Sequence, residues 1–173
     1  MEMWDLYDNE RKKVGMIERS QPMPKGVNRL VVHICIFNSK GEMLIQQRSA
    51  TKKTHPNVWD ITLGGCVQAG ETSWQGAQRE LSEELGLTYD FSNERAYFTV
   101  NFEGGFDDFF LIEKDVVLSE VSFKDNEVQA VKWASKKEIL DKIESGDFIN
   151  FYKPLISMVF EMQKNRGCMP KEK

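Results

Sequence analysis

The sequence predicts an α/β protein in which a mixed β-sheet is covered by helices on both faces. Three observations lead there. Short strand-like runs fill the first 65 residues and recur at 94–114 and 127–135. A capped amphipathic helix interrupts them at 72–86, and two further amphipathic segments follow at 135–145 and 152–165. Strands interrupted and followed by helices bury their apolar faces best as layers.

Taken in order, residues 4–20 read as two short strands about an Asn9-Glu10-Arg11 turn. Residues 21–26 form a loop, because Pro22 and Pro24 break regular structure. Residues 28–49 contain a buried strand, a turn at Asn38–Gly41 and a second strand, a hairpin pattern. Residues 51–65 are a loop that enters a short strand. In the helix, Thr72 is placed to cap and Gln75 stands three residues on, as in a capping box. Gly86 ends it, and Trp74, Ala77, Leu81 and Leu85 share one stripe. A second hairpin is expected around Gly104-Gly105, then a strand and the two closing helices. With 173 residues, 40% hydrophobic, the chain is expected to be a single domain, 1–173, with residues 1–25 as an N-terminal strand extension.

Charge and composition narrow the function. A net charge of −4 argues against a nucleic-acid backbone as partner. No apolar run approaches the roughly 20 residues that span a bilayer. The N-terminus carries acids where a signal peptide wants bases, so a cytoplasmic location is expected. Cys35, Cys66 and Cys168 are odd in number and widely spaced, which reads as reduced thiols.

The chemistry is concentrated in one helix. Setting Glu80 at zero and advancing ~100° per residue puts Glu83 near ~300° and Glu84 near ~40°. All three project beside the apolar stripe, with Arg79 near ~260°, next to Glu83. A solvated charged face is the plain alternative. Against it, the cluster borders buried surface, where repulsion is screened least, and follows the glycine pair Gly64-Gly65, where backbone approaches a ligand closely. A hard divalent cation, Mg²⁺ or Mn²⁺, would supply the missing charge and bridge to substrate phosphates.

These residues carry a family resemblance. Gly65, five residues, Glu71, seven residues, then Arg79-Glu80-Leu81-Ser82-Glu83-Glu84-Leu85-Gly86-Leu87 resemble the Nudix box at every fixed position. The resemblance implies a Nudix α/β/α sandwich and a hydrolase that cleaves a diphosphate joined to another moiety, X. It implies Glu83 and Glu84 as metal ligands, Glu80 as ligand or base, and the Gly64 carbonyl as a further ligand. Arg79 would hold a glutamate through a bidentate contact, and Glu71 would anchor the loop. Glu127 matches a downstream acid that completes the metal site or acts as base; an exposed acid before a strand is the alternative.

Residues 26–65 also resemble type 1 isopentenyl-diphosphate isomerases, with Arg48 and Lys52 where those enzymes hold diphosphate. Lys53 is a weaker candidate. That raises isomerisation as a rival activity. Gly64 stands where the isomerase needs cysteine, Cys66 where it has a histidine ligand, and Arg29 at another ligand position. His33 and His55 are the only histidines. His33 lies in an apolar run and reads as a core residue; His55 reads as structural. A catalytically silent diphosphate-binding module is the remaining alternative. Phe102, Phe106, Phe109, Phe110 and Phe151 are expected in the core rather than stacked on a base. Asp107 and Asp108 border the site or solvate a turn. Trp4 and Tyr7 either roof the pocket or pair with a second subunit in a homodimer.

Overall fold

The computed structural model describes residues 2–123 and 126–169; residues 1, 124–125 and 170–173 lie outside it. A ribbon of β1 (Met3–Tyr7) and β2 (Lys13–Glu18) stands apart from a seven-stranded sheet. The sheet contains β3 (Arg29–Phe37), β4 (Met43–Arg48), β5 (Trp59–Asp60), β6 (Leu63–Cys66), β7 (Phe98–Phe102), β8 (Gly105–Glu113) and β9 (Val128–Ala134). It is mixed: β3 runs parallel to β8 from Arg29↔Gly105 to Phe37↔Glu113, and the other pairings are antiparallel.

Strand β3 is the axis, and its alternation assigns the two layers. Leu30, Val32, Ile34 and Ile36 pack in the core that receives Ala77, Leu81 and Leu85 of α1 (Ser73–Leu85). Cys35 and Phe37 face the opposite core, built with α2 (Lys136–Ser145) and α3 (Lys153–Met162). Successive strand side chains alternate faces, so one apolar strand feeds both layers.

The residues around Asn38–Gly41 do form the expected turn. Asn38 Oδ1 accepts from the N–H groups of Lys40 and Glu42, and Gly41 takes the left-handed conformation with φ of 76°. The flanking strands do not continue as a hairpin; they share the pair Phe37↔Met43 and then diverge. The buried Thr62 hydroxyl is the cause. It accepts from Ile36 N–H at 2.9 Å and donates to Leu44 C=O at 2.5 Å, so it replaces the ladder between the strands. Strand β4 pairs instead with β5 and β9, and β6 takes the free edge of β3 at Val31–Ile34.

Helix α1 begins and ends as its sequence indicates. Thr72 and Gln75 form the reciprocal capping box, and Gly86 (φ 65°) closes the helix in the left-handed region. At Asp108 the ribbon is tied to both sheet and helix. Its carboxylate accepts two bonds from Arg11, at 3.0 and 2.6 Å, and one each from Thr99 and Ser73. Asp108 is therefore a buried structural anchor on β8; it neither solvates a turn nor lines the cavity described below.

Candidate active site

Short side chains open the site. In β6, a Cβ on Gly64 would sit 2.8 Å from His33 Cδ2, and one on Gly65 would sit 2.2 Å from Glu80 Cδ. The two glycines leave both faces of the strand bare. The His33 ring lies against one face and the Glu80 carboxylate against the other. Around this strand is a cavity of about 770 Å³.

Arg79 organises the acidic wall. Its Nε and Nη2 grip Glu71 bidentately at 2.8 and 3.0 Å, and Nη2 also donates to the Cys66 carbonyl at 2.9 Å. Nη1 donates to Glu80 and Glu83, each at 2.9 Å. Glu71 in turn accepts from Gln68 N–H, which anchors the loop before α1 as expected. Burial opposes the Arg79 charge, but Glu71, Glu80 and Glu83 outweigh it and keep the guanidinium firmly protonated.

The glutamates do not share one environment. Glu83 is about half exposed, at 46%, with Arg79 as its cation. Burial raises the Glu80 carboxyl above its ordinary value, against the opposing pull of Arg79. Glu84 is buried at 7% exposure. Burial, with Glu80 and Glu127 nearby, pushes it up to about 8. Its hydrogen-bond donor is Gln46 Nε2 at 3.3 Å, a long contact. Gln46 Oε1 is itself buried without a partner among the described residues.

Facing this wall is a basic one. Lys52 Nζ pairs with Glu127 Oε2 at 2.6 Å. Arg48 donates to the Thr54 carbonyl at 3.2 Å and stands 3.6 Å from Asp60. Burial lifts the Asp60 carboxyl to about 7, with Arg48 pulling the other way. Arg48 Nε is buried without an acceptor. Gly64, Arg79, Glu80, Glu83, Glu84, Arg48, Lys52 and Glu127 thus all line the same cavity. Lys53 lines it as well.

Comparison with known proteins assigns the family. Residues 27–153 match the NUDIX domain. An uncharacterised Nudix hydrolase of Listeria innocua is 42% identical over 164 residues, covering 94% of this chain and 96% of that protein. A second, from Listeria monocytogenes, is 42% identical and covers 88% and 90%. The chain belongs to the Nudix family. Among solved structures, a Deinococcus radiodurans protein superposes with a TM-score of 0.73 at 26% identity, covering 91% of this chain and 97% of the other. Family membership makes the chain a pyrophosphohydrolase with the Nudix fold.

Nudix hydrolases generally use divalent metals, and the donors here suit one. They are hard oxygens: the carboxylates of Glu80, Glu83 and Glu84 and the backbone carbonyls of bare β6. Buried Glu84, with no cation of its own, is the strongest sign, because only a neighbouring positive charge or a proton relieves it. Among the described residues, no three His, Cys, Asp or Glu side chains converge into a ready-made cage.

Several residues of this Nudix cavity escaped sequence reasoning. His33, expected in the core, lies on the wall, where burial pulls its imidazole down to about 4 and keeps it neutral. Phe102, also expected in the core, lines the cavity; Asp107 lines it too, the first of the two placements its sequence position allowed. Phe106, Phe109 and Phe110 are core residues, and Phe151 packs against the second core. Glu2 and Arg19, at the base of the ribbon, and Arg29 reach the cavity too. The usable signal was alternation: Arg29, Val31 and His33 share one face of β3, and all three line the cavity. Trp4 is buried, while His55 is exposed in its loop. The cysteines are free thiols. Among the described residues, no helix is long and apolar enough to cross a membrane.

Proposed function

We propose that this cavity hydrolyses the diphosphate linkage of a nucleoside diphosphate joined to a second moiety X. Mg²⁺ or Mn²⁺ would be held by Glu80, Glu83, Glu84 and the Gly64 carbonyl. The observation that carries the reading is Glu84, a buried carboxylate beside Glu80 and Glu127 whose one donor is a neutral amide. When bound, the ion supplies charge neutralisation at the phosphates and lowers the pKa of the attacking water.

The protein's own residues do the rest. Arg48 and Lys52 bind the phosphate oxygens, Arg48 as a fork and Lys52 as a point charge. Arg79 is a positioning residue: it fixes Glu80 and, through Glu71, the loop that carries Gly64 and Gly65. Glu80 or Glu127 takes the proton as the water oxygen bonds to phosphorus and the bridging P–O bond breaks. Binding of phosphate to Lys52 would release Glu127 from its 2.6 Å ion pair and free its carboxylate to face the water. We take the chain as one catalytic domain, with residues 1–25 as a strand extension and a small-molecule diphosphate as partner.

The test is release of phosphomonoester products, read as phosphate after a coupled phosphatase, across a panel of nucleoside triphosphates, nucleotide sugars, dinucleoside polyphosphates, coenzyme A and prenyl diphosphates, with Mg²⁺ or Mn²⁺ against chelator. Release that requires the ion supports the reading. Tight binding without release would favour a silent binding module. Conversion of isopentenyl diphosphate to its allylic isomer would favour the isomerase. That alternative rests on the resemblance over residues 26–65, with Arg48 and Lys52 in it, and is opposed by Gly64, which offers no thiol where the isomerase requires one.

A further inference from the structure

The ribbon end of the cavity holds a cation that the hydrolytic residues do not use. Arg29 opens β3 on the cavity-lining face. Its guanidinium lies 5.2 Å from the Trp4 ring centroid and 5.4 Å from that of Phe102. Arg19 sits 6.0 Å from the same Trp4 ring, so cations and rings alternate in the order Arg19, Trp4, Arg29, Phe102. The backbone accommodates this stack. A Cβ on Gly105, the β8 residue paired with Arg29, would sit 2.1 Å from Phe102 Cζ, so the Phe102 ring occupies the space a side chain would fill.

The two arginines differ in charge balance. Arg19 is paired with Glu2 at 2.6 Å. Arg29 has no carboxylate within salt-bridge distance among the described residues; the nearest anionic influence is Asp107 on the same cavity wall, whose carboxyl burial raises while Arg29 pulls it down at longer range. Its Nε is buried without an acceptor among the described residues, and its charge acts to lower the nearby Cys66 thiol, which burial raises. Aromatic faces hold a guanidinium in place without neutralising it or using its in-plane N–H donors. A structural arginine on a cavity wall is ordinarily satisfied by a carboxylate. An arginine clamped by rings and left unpaired is set up to receive an anion from outside.

Its position says which anion. Arg29 lies four residues before His33, the partner of Gly64, which is roughly 13 Å along an extended strand. That offset sets Arg29 toward the ribbon, beside Glu2, Arg19 and Phe102 of the cavity lining, a position that suits X rather than the diphosphate. We propose that Arg29 is a specificity residue for an oxyanion carried by X, a phosphate monoester or a carboxylate. The inference rests on the hydrolase reading above and names the substrate class within it: diphosphates whose X moiety bears its own negative charge.

Matched pairs test this with Mg²⁺ present. Coenzyme A against 3′-dephospho-coenzyme A probes phosphate, and UDP-glucuronate against UDP-glucose probes carboxylate. A bidentate charged contact predicts that kcat/KM favours the anionic member of one pair by about tenfold or more. Arg29→Gln should bring that ratio close to one. Arg29→Lys should leave it intermediate, because charge remains but the fork is lost. A ratio near one for both pairs in the wild type, or a preference that survives Arg29→Gln, overturns the proposal. If neither pair is hydrolysed at all, the hydrolase reading is what fails. The same pairs are then compared by calorimetric Kd, with the same ratios deciding for or against the subsite.

Discussion

Replacing Glu84 by Gln should stabilise the metal-free protein, and the gain should depend on pH. The Glu84 carboxyl is lifted from an ordinary 4.5 to about 8, first by burial and then by Glu80 and Glu127. A raised carboxyl pKa means the folded state binds a proton that the unfolded state releases. Stability is therefore undiminished below the unfolded pKa and is lost as pH rises through the window from 4.5 to about 8. At pH 7 the loss spans about 2.5 pH units, or about 3 kcal/mol; at pH 5 it is below about 1 kcal/mol. Glutamine keeps the shape and the contact with Gln46 but never ionises. Its advantage should thus be about 3 kcal/mol at pH 7, or about 6–12 °C in Tm for a chain of this size, and should nearly vanish at pH 4. Thermal and urea melts in chelator at several pH values measure it. Turnover of the metal-loaded enzyme should fall by about 100-fold or more, since the proposed ligand is lost. A variant no more stable than wild type at pH 7, or equally stabilised at pH 5 and pH 7, would refute the electrostatic argument.

Three further outcomes follow from the geometry. Arg79→Lys keeps a charge but cannot reproduce a fork that reaches Glu71, Glu80, Glu83 and the Cys66 carbonyl. It should lower kcat by about 100-fold with a smaller change in KM, read from steady-state kinetics, because it acts through the glutamates. Gly65→Ala places a Cβ 2.2 Å from Glu80 Cδ and must displace that carboxylate, so the Mg²⁺ concentration for half-maximal rate should rise at least about tenfold. Asp108→Ala removes the acceptor for Arg11, Thr99 and Ser73 and should cost about 2–3 kcal/mol in urea melts. Burial acts to raise the Asp108 carboxyl, but those donors outweigh it and hold it below its ordinary range. The cost should therefore shrink as pH falls through that range.

What was legible in the sequence was chemistry written at short range. The Thr72–Gln75 box, the Gly86 stop and the α1 stripe involve residues within one or two turns, and each appears as read. The carboxylate cluster was legible for the same reason. The divergence of β3 from β4 was not, because it depends on Thr62, which follows β4 by a long loop yet inserts between Ile36 and Leu44. The β3 face of the cavity was harder to read, for a different reason. Strand β3 is apolar on both faces over most of its length, so Arg29 and His33 look like interruptions of a buried run. Only the sheet partners, Gly64 and Gly105, show that the face they occupy is left uncovered. Lys52 and Glu127 pair across 75 residues of chain, a contact no local pattern encodes.

The five donor contacts of Arg79 also explain how an acidic cavity is tolerated in a folded protein before any ion is bound. The guanidinium neutralises the half of the cluster nearest the loop, and it does so unequally. Glu71 is held at both oxygens and again by a backbone N–H, so it is fixed. Glu83 is held at one oxygen and is 46% exposed, so reorienting it costs little. Glu84 makes no contact with Arg79, and burial with Glu80 and Glu127 nearby raises its carboxyl to about 8, which favours the protonated form at pH 7. A divalent ion entering the proposed site therefore meets one mobile carboxylate, one partly shared, and one that must release its proton. Saturation by Mg²⁺ should accordingly release about one proton at pH 7, measurable by calorimetry in buffers of different ionisation enthalpy. Proton release that is absent in the wild type, or unchanged in Glu84→Gln, would place the ion elsewhere.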